Sequence, residues 1–130
     1  MTPDKKLTEP VRVVVAEDND DLRTLMTLLL NEESDIDCVA ATAFIDEVGP
    51  VVAQHRAQVV ILDVQLRGGS ALKRLPELSC GFPDTKFIMH SGHSNPDLIR
   101  GAYAAGAAAY VLKSGDIDEL LAAIRKVASN

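Results

Sequence analysis

Short apolar runs alternate along this chain with stretches of helical periodicity, and four of the runs end on a reactive polar residue. Residues 11–16 lead into Glu17 and Asp18, residues 58–62 into Asp63, residues 86–90 into Ser91, and residues 109–112 into Lys113. β-branched runs separated by amphipathic segments read as parallel strands joined by right-handed helical crossovers, with helices on both faces of the sheet. In an open parallel sheet the ligand crevice lies outside the carboxyl ends of the strands, where the strand order reverses. Three carboxylates, a hydroxyl and an ammonium are thereby brought to one sheet edge. That set suits a divalent cation and a phosphoryl group.

With 130 residues, 47% of them hydrophobic and 25% charged, the chain has the size and composition of one folded domain with its own core. We expect a short flexible lead over residues 1–10 and the folded unit over 11–128. The lead is polar and lacks an apolar h-region, and no apolar stretch is long enough to span a bilayer. Cys38 falls in an expected strand and Cys80 in an expected loop, without metal-type spacing, so both are expected as free thiols of a cytoplasmic protein. A net charge of −6 argues against nucleic-acid binding by this domain itself, because neutralising phosphates needs a basic face.

The local signals fill in a (βα) unit repeated five times. Asn19 caps a first helix carrying Leu22, Leu25, Met26 and Leu29 at helical spacing. A second strand is expected over 36–41, followed by a helix over 44–54 that Gly49-Pro50 should interrupt. Gly68-Gly69 opens the loop after Asp63, Ser70 caps a third helix, and Pro76 predicts a kink or restart within it. Asn95-Pro96 starts a fourth helix and Gly106 ends it. Asp116 opens the last helix, with Glu119 placed for a capping-box variant and Leu120, Leu121, Ile124 and Val127 as its buried stripe. His90 sits inside an apolar strand and reads as a satisfied core histidine; His55 reads as a surface residue at a helix end.

The chemistry centres on Asp63. A carboxylate can attack a phosphoryl group to form an aspartyl-phosphate, splitting a transfer into two steps. Beside two further carboxylates that attack needs a cation, and Glu17 and Asp18 can supply its ligands. Mg2+ fits, because it takes oxygen ligands and is held by one or two carboxylates together with phosphate oxygens. Lys113 adds a point charge for the phosphoryl oxygens or for Asp63 itself, and Ser91 a hydroxyl donor. Each residue alone would read as a solvated or capping side chain; the set at adjacent strand ends carries the inference.

This set resembles the receiver domain of two-component response regulators, the CheY-like family, over about residues 11–127. The matching positions are Glu17-Asp18, Asp63, Ser91, Tyr110 and Lys113, and the stretch from Ala104 through Gly106 and Tyr110 to Ser114 is similar to receivers of the LuxR/NarL class. The resemblance implies a doubly wound (βα)5 α/β fold with a five-stranded parallel sheet in the order 2-1-3-4-5. It implies that Asp63 accepts a phosphoryl group from a sensor histidine kinase or phosphotransfer protein. Mg2+ would be held by Asp18, Asp63, the Gln65 backbone carbonyl and, through water, Glu17. Ser91 and Lys113 would hold the phosphoryl oxygens, and Tyr110 would rotate as Ser91 moves inward, reshaping the surface of the fourth helix, fifth strand and fifth helix. Gln65 and His93 occupy the positions that flank the hydrolytic water in this family and would tune the phosphoryl lifetime.

The chain departs from the family pattern in three places. Arg67 stands where a proline is usual, Ala71 where a glycine is usual, and Ser114 where a proline, commonly after a cis bond, follows the lysine. A non-proline cis bond costs about 3 kcal/mol, so Lys113–Ser114 is expected trans. Two enzymatic or carrier readings fit less well. A haloacid dehalogenase-type phosphatase would want an acid where Gln65 stands, and a flavodoxin-like carrier would find Glu17-Asp18 repelling its flavin phosphate. The remaining alternative is a constitutive protein-binding module, a pseudo-receiver. By family analogy the output is transcriptional, through a fused DNA-binding domain or a partner, with phosphorylation-dependent homodimerisation a further expectation and no membrane involved.

Overall fold

The computed structural model describes residues 9–130, so all but the end of the expected lead over residues 1–10 lies outside the described residues. The strands are β1 (Val11–Ala16), β2 (Ile36–Thr42), β3 (Val59–Asp63), β4 (Lys86–Ser91) and β5 (Ala109–Leu112). They form one parallel sheet in the order β2-β1-β3-β4-β5. The helices are α1 (Asp20–Asn31), α2 (Ile45–His55), α3 (Ala71–Gly81), α4 (Pro96–Ala105) and α5 (Ile117–Ala128).

The interiors of β1, β3 and β4 are largely apolar because both sheet faces are covered and successive side chains point to opposite faces. Val14, Val60, Leu62, Phe87 and Met89 pack under α2, α3 and α4 with Val48, Leu75 and Ala102. Val13, Val15, Ile61, Ile88 and Val111 pack under α1 and α5 with Met26, Leu30, Leu120 and Ile124. Most of these side chains are fully buried, each contributing about 1.5–3 kcal/mol relative to an exposed position.

The helix starts follow the capping chemistry. Asn19 Oδ1 accepts from the Leu22 N–H at 2.9 Å, Ser70 Oγ from Lys73 at 3.2 Å, and Asn95 Oδ1 from Asp97 at 2.7 Å with Pro96 at the first helical position. Asp116 Oδ1 accepts from the Glu119 N–H at 3.2 Å, the forward half of the expected box. Gly106 closes α4 at φ 118°, and a Cβ there would run into the Ser79 side chain of α3, so this close approach of α3 to α4 requires glycine.

Three expectations are corrected. Gly49-Pro50 does not interrupt α2, and α3 runs through Pro76 without the restart. Both prolines lie on the exposed side of their helices, while the opposite stripes (Ile45, Val48 and Val52; Ala71, Leu75 and Leu78) are buried and hold each helix through the missing donor. Because α3 continues to Gly81, Cys80 is an exposed helical residue rather than a loop residue. The segment after Asp63 also holds a feature the periodicity does not disclose: Gln65–Leu66 pairs antiparallel with Gly69–Ser70 in a two-residue hairpin. Arg67 and Gly68 make its turn, with Gly68 at φ 96° and the following Gly69 at φ 152°.

Candidate functional site

The strand order places the reactive residues side by side. Glu17 and Asp18 follow β1, Asp63 ends β3 beside it, Ser91 ends β4 beside that, and Lys113 follows β5 at the edge. Carboxylate oxygens of Glu17, Asp18 and Asp63 lie within 4.8 Å of one another. Glu17 and Ser91 are each 1% exposed and Asp63 is 7% exposed, while Asp18 is the most open of the acids. Lys113 Nζ reaches Glu17 Oε1 at 3.0 Å and Asp63 Oδ1 at 3.1 Å.

Local bonds hold these groups in place. Glu17 Oε2 accepts from the Asn19 N–H at 3.0 Å, and the Glu17 carbonyl accepts from Arg23 at 2.9 Å. Glu17 Oε1 is buried and receives no aligned hydrogen bond, so its one close polar contact is the Lys113 ammonium. The Lys113 N–H donates to the Ser91 carbonyl at 2.7 Å, fixing the end of β5 against β4. The Lys113–Ser114 bond is trans, as expected.

Charge crowding dominates the electrostatics. Asp63 is pushed up to about 7, first by burial, then by the Glu17 charge and its hydrogen bond with Asp18; Lys113 pulls the other way without cancelling them. Asp18 is lowered, first through the same hydrogen bond with Asp63. The two acids therefore titrate as a pair sharing a proton. Lys113 is pulled down by burial, but Glu17 and Asp63 outweigh this and hold it above the ordinary lysine range. His90 is buried under the cleft between α1 and α5 and is lowered to about 4, by burial and then by the Lys113 charge. It is a core histidine, but not a satisfied one, since its Nδ1 has no partner among the described residues.

Ser91, His93 and Tyr110 form a short chain. Ser91 Oγ accepts from the His93 N–H at 3.0 Å, and the Tyr110 hydroxyl donates to the His93 carbonyl at 2.8 Å. Gln65 and His93 have exposed side chains, with Gln65 at the start of the hairpin. His55 ends α2 and is half-buried.

The sequence pattern pointed to no site role for Arg67, Asp20 or Phe44. Arg67 donates to the Asp18 carbonyl and to Asp20 Oδ1, each at 2.9 Å, and its guanidinium lies over the Phe44 ring. Its one signal in the sequence was an arginine standing where proline is usual.

The donor set fits Mg2+. Three clustered hard oxygen donors, with a buried Glu17 oxygen that receives no aligned hydrogen bond and lies 3.0 Å from the Lys113 ammonium, present more negative charge than Lys113 alone balances. No helix among the described residues is long and apolar enough to cross a membrane.

Comparison with known proteins agrees with this geometry. Residues 13–125 match the model of the response regulator receiver domain. The chain is 31% identical over 118 residues to the oxygen regulatory protein NreC of Staphylococcus epidermidis, covering 90% of this chain and 54% of that protein. It thus spans about half the length of the curated relatives it matches. Among solved structures, a LuxR-family DNA-binding response regulator from Staphylococcus aureus superposes with a TM-score of 0.84 at 29% identity, covering 91% of this chain and 98% of that one. The response regulator domain of Thermotoga maritima CheB, at 19% identity, shares the fold with a TM-score of 0.85, covering 94% and 98% of the two chains.

Proposed function

Because this chain belongs to the response regulator receiver family, we propose that it is a phosphorylation-controlled switch in which Asp63 takes a phosphoryl group from the phosphohistidine of a sensor kinase or phosphotransfer protein. The observation that carries this reading is the clustered triad of Glu17, Asp18 and Asp63, with Lys113 on Glu17 and Asp63. Asp18 and Asp63 would hold Mg2+ directly, with the Gln65 carbonyl, and Glu17 would act through water. Bound Mg2+ supplies the positive charge that lets an anionic donor approach three acids.

An Asp63 carboxylate oxygen attacks phosphorus, the P–N bond to the donor imidazole breaks, and its electron pair stays on that nitrogen. Lys113, already 3.1 Å from Asp63 Oδ1, stabilises charge on the transferred oxygens. Ser91 turns its hydroxyl toward them and gives up the His93 N–H. His93 also carries the Tyr110 hydroxyl bond, so movement there reaches β5 and the α4-β5-α5 surface. Output follows through that surface, to a partner protein or a DNA-binding domain on a longer chain, with control of transcription as the result.

Incubating the chain with Mg2+ and acetyl phosphate is expected to add one phosphoryl group by intact-mass spectrometry, and Asp63→Asn is expected to add none. Equal addition to both would move the acceptor elsewhere; addition to neither, in a folded protein that does not bind Mg2+, would favour a constitutive binding module. The exposed Gln65 and His93 side chains flank the site, and we expect the Gln65→Ala, His93→Ala double variant to change aspartyl-phosphate decay by about threefold or more. An unchanged decay rate would remove both from any role in phosphoryl lifetime.

A further inference from the structure

Arg67 is bonded into the loops after β1, β2 and β3 together. Its N–H donates to the Ala43 carbonyl at 2.9 Å and its carbonyl accepts from the Ile45 N–H at 3.0 Å, so the loops after β2 and β3 run together as a parallel bridge. Its side chain then crosses to the loop after β1. There one guanidinium nitrogen donates both to the Asp18 carbonyl and to Asp20 Oδ1, each at 2.9 Å. The guanidinium carbon lies 5.7 Å from the centroid of the Phe44 ring, which favours this path for the side chain. Phosphoryl transfer as read above makes no use of any of these contacts.

The carbonyl held by Arg67 belongs to the residue whose carboxylate is the most open member of the acidic triad. Asp20 is a further carboxylate nearby that stands outside the triad, bonded by Arg67 and Arg23 instead. Taking the Mg2+ site as read above, we propose that Arg67 is a positioning residue of that site: it fixes Asp18 for coordination and keeps Asp20 out of it. Arg67 contacts the Asp18 backbone and Asp20, whereas Lys113 sits directly on triad oxygens.

Charge and positioning predict opposite signs, which makes the proposal testable. Removing a cation from beside a cation site tightens binding by charge alone. The Arg67 side chain is 45% exposed, so solvent and salt screen that effect. Loss of positioning weakens binding, as loss of outer-shell partners does at metal sites generally.

Isothermal titration of the chain with Mg2+ is expected to show a Kd raised about tenfold in Arg67→Ala, the low end for loss of an outer-shell partner. Arg67→Lys, whose ammonium can donate to the same two oxygens from one nitrogen, is expected to stay within about twofold of the parent. Circular dichroism without Mg2+ establishes that each variant is folded. Arg67→Ala binding as tightly as the parent or more tightly would overturn the proposal, as would a loss that Arg67→Lys fails to restore. Absence of Mg2+ binding by the parent would overturn the cation-site reading, and this inference with it.

Discussion

Asp63→Asn is expected to melt higher than the parent at pH 8 in the absence of Mg2+, by about 5–10 °C. Asp63 is raised from 3.8 to about 7 by burial, the Glu17 charge and the hydrogen bond with Asp18. A raised carboxyl means that the folded state holds a proton the unfolded state has released. Stability from this group is therefore complete below about pH 4 and is lost as pH rises through about 7. On its own the shift would cost on the order of 4 kcal/mol once Asp63 is ionised. The lowered Asp18 works in the opposite sense and belongs to the same shared proton, which reduces the net cost. Asparagine fills the same space without the charge, so the advantage of the variant should grow between pH 4 and 7 and level off above. Saturating Mg2+ should narrow or reverse the gap, because the ion stabilises only the form that binds it. Thermal melts across this pH range, with and without Mg2+, measure all of this. A variant no more stable than the parent at pH 8 would show that Lys113 already balances the crowded acids.

Lys113→Ala is expected to bind Mg2+ about tenfold more tightly than the parent at pH 8.5 while losing about 1–3 kcal/mol of stability without the ion. Lys113 Nζ lies at 3.0 Å and 3.1 Å from oxygens of Glu17 and Asp63, so an arriving cation competes with it for the same acids. Removing it frees those oxygens and leaves the acids without a counter-charge, destabilising the empty fold and favouring the loaded one. The higher pH matters because Lys113 also lowers Asp63; without it Asp63 keeps its proton longer, and that proton would mask the gain. Calorimetric titration with Mg2+ reads the affinity and urea unfolding reads the stability. Weaker Mg2+ binding in Lys113→Ala would mean that the ammonium orients the acids rather than competing with the ion. This expectation is opposite in sign to that for Arg67→Ala, although both variants remove one positive charge. The difference lies in what each cation touches: Lys113 the acid oxygens, Arg67 a backbone carbonyl and a carboxylate outside the triad.

Much of the site was legible before any coordinates. In a parallel sheet the position of a residue at the end of its strand settles which edge it occupies, so Glu17, Asp18, Asp63, Ser91 and Lys113 could be grouped from run boundaries alone. The capping residues Asn19, Ser70, Asn95 and Asp116 were legible for a similar reason, since a cap acts within a few residues of itself. Strand order itself came through resemblance rather than periodicity.

What stayed hidden depends on distances between segments far apart in the chain. Pro50 and Pro76 predict breaks by local rule, yet buried stripes packed on the sheet carry both helices through. The shared proton of Asp18 and Asp63 follows from how deeply the sheet buries Asp63 and how closely Asp18 pairs with it, neither of which a run of letters encodes. Arg67 spans 49 residues to reach Asp18, and Tyr110 spans 17 to reach His93. Local patterning selects the elements and the edge on which the chemistry gathers. Packing across the sheet sets the burial, the neighbours and the charge balance that determine how those groups behave.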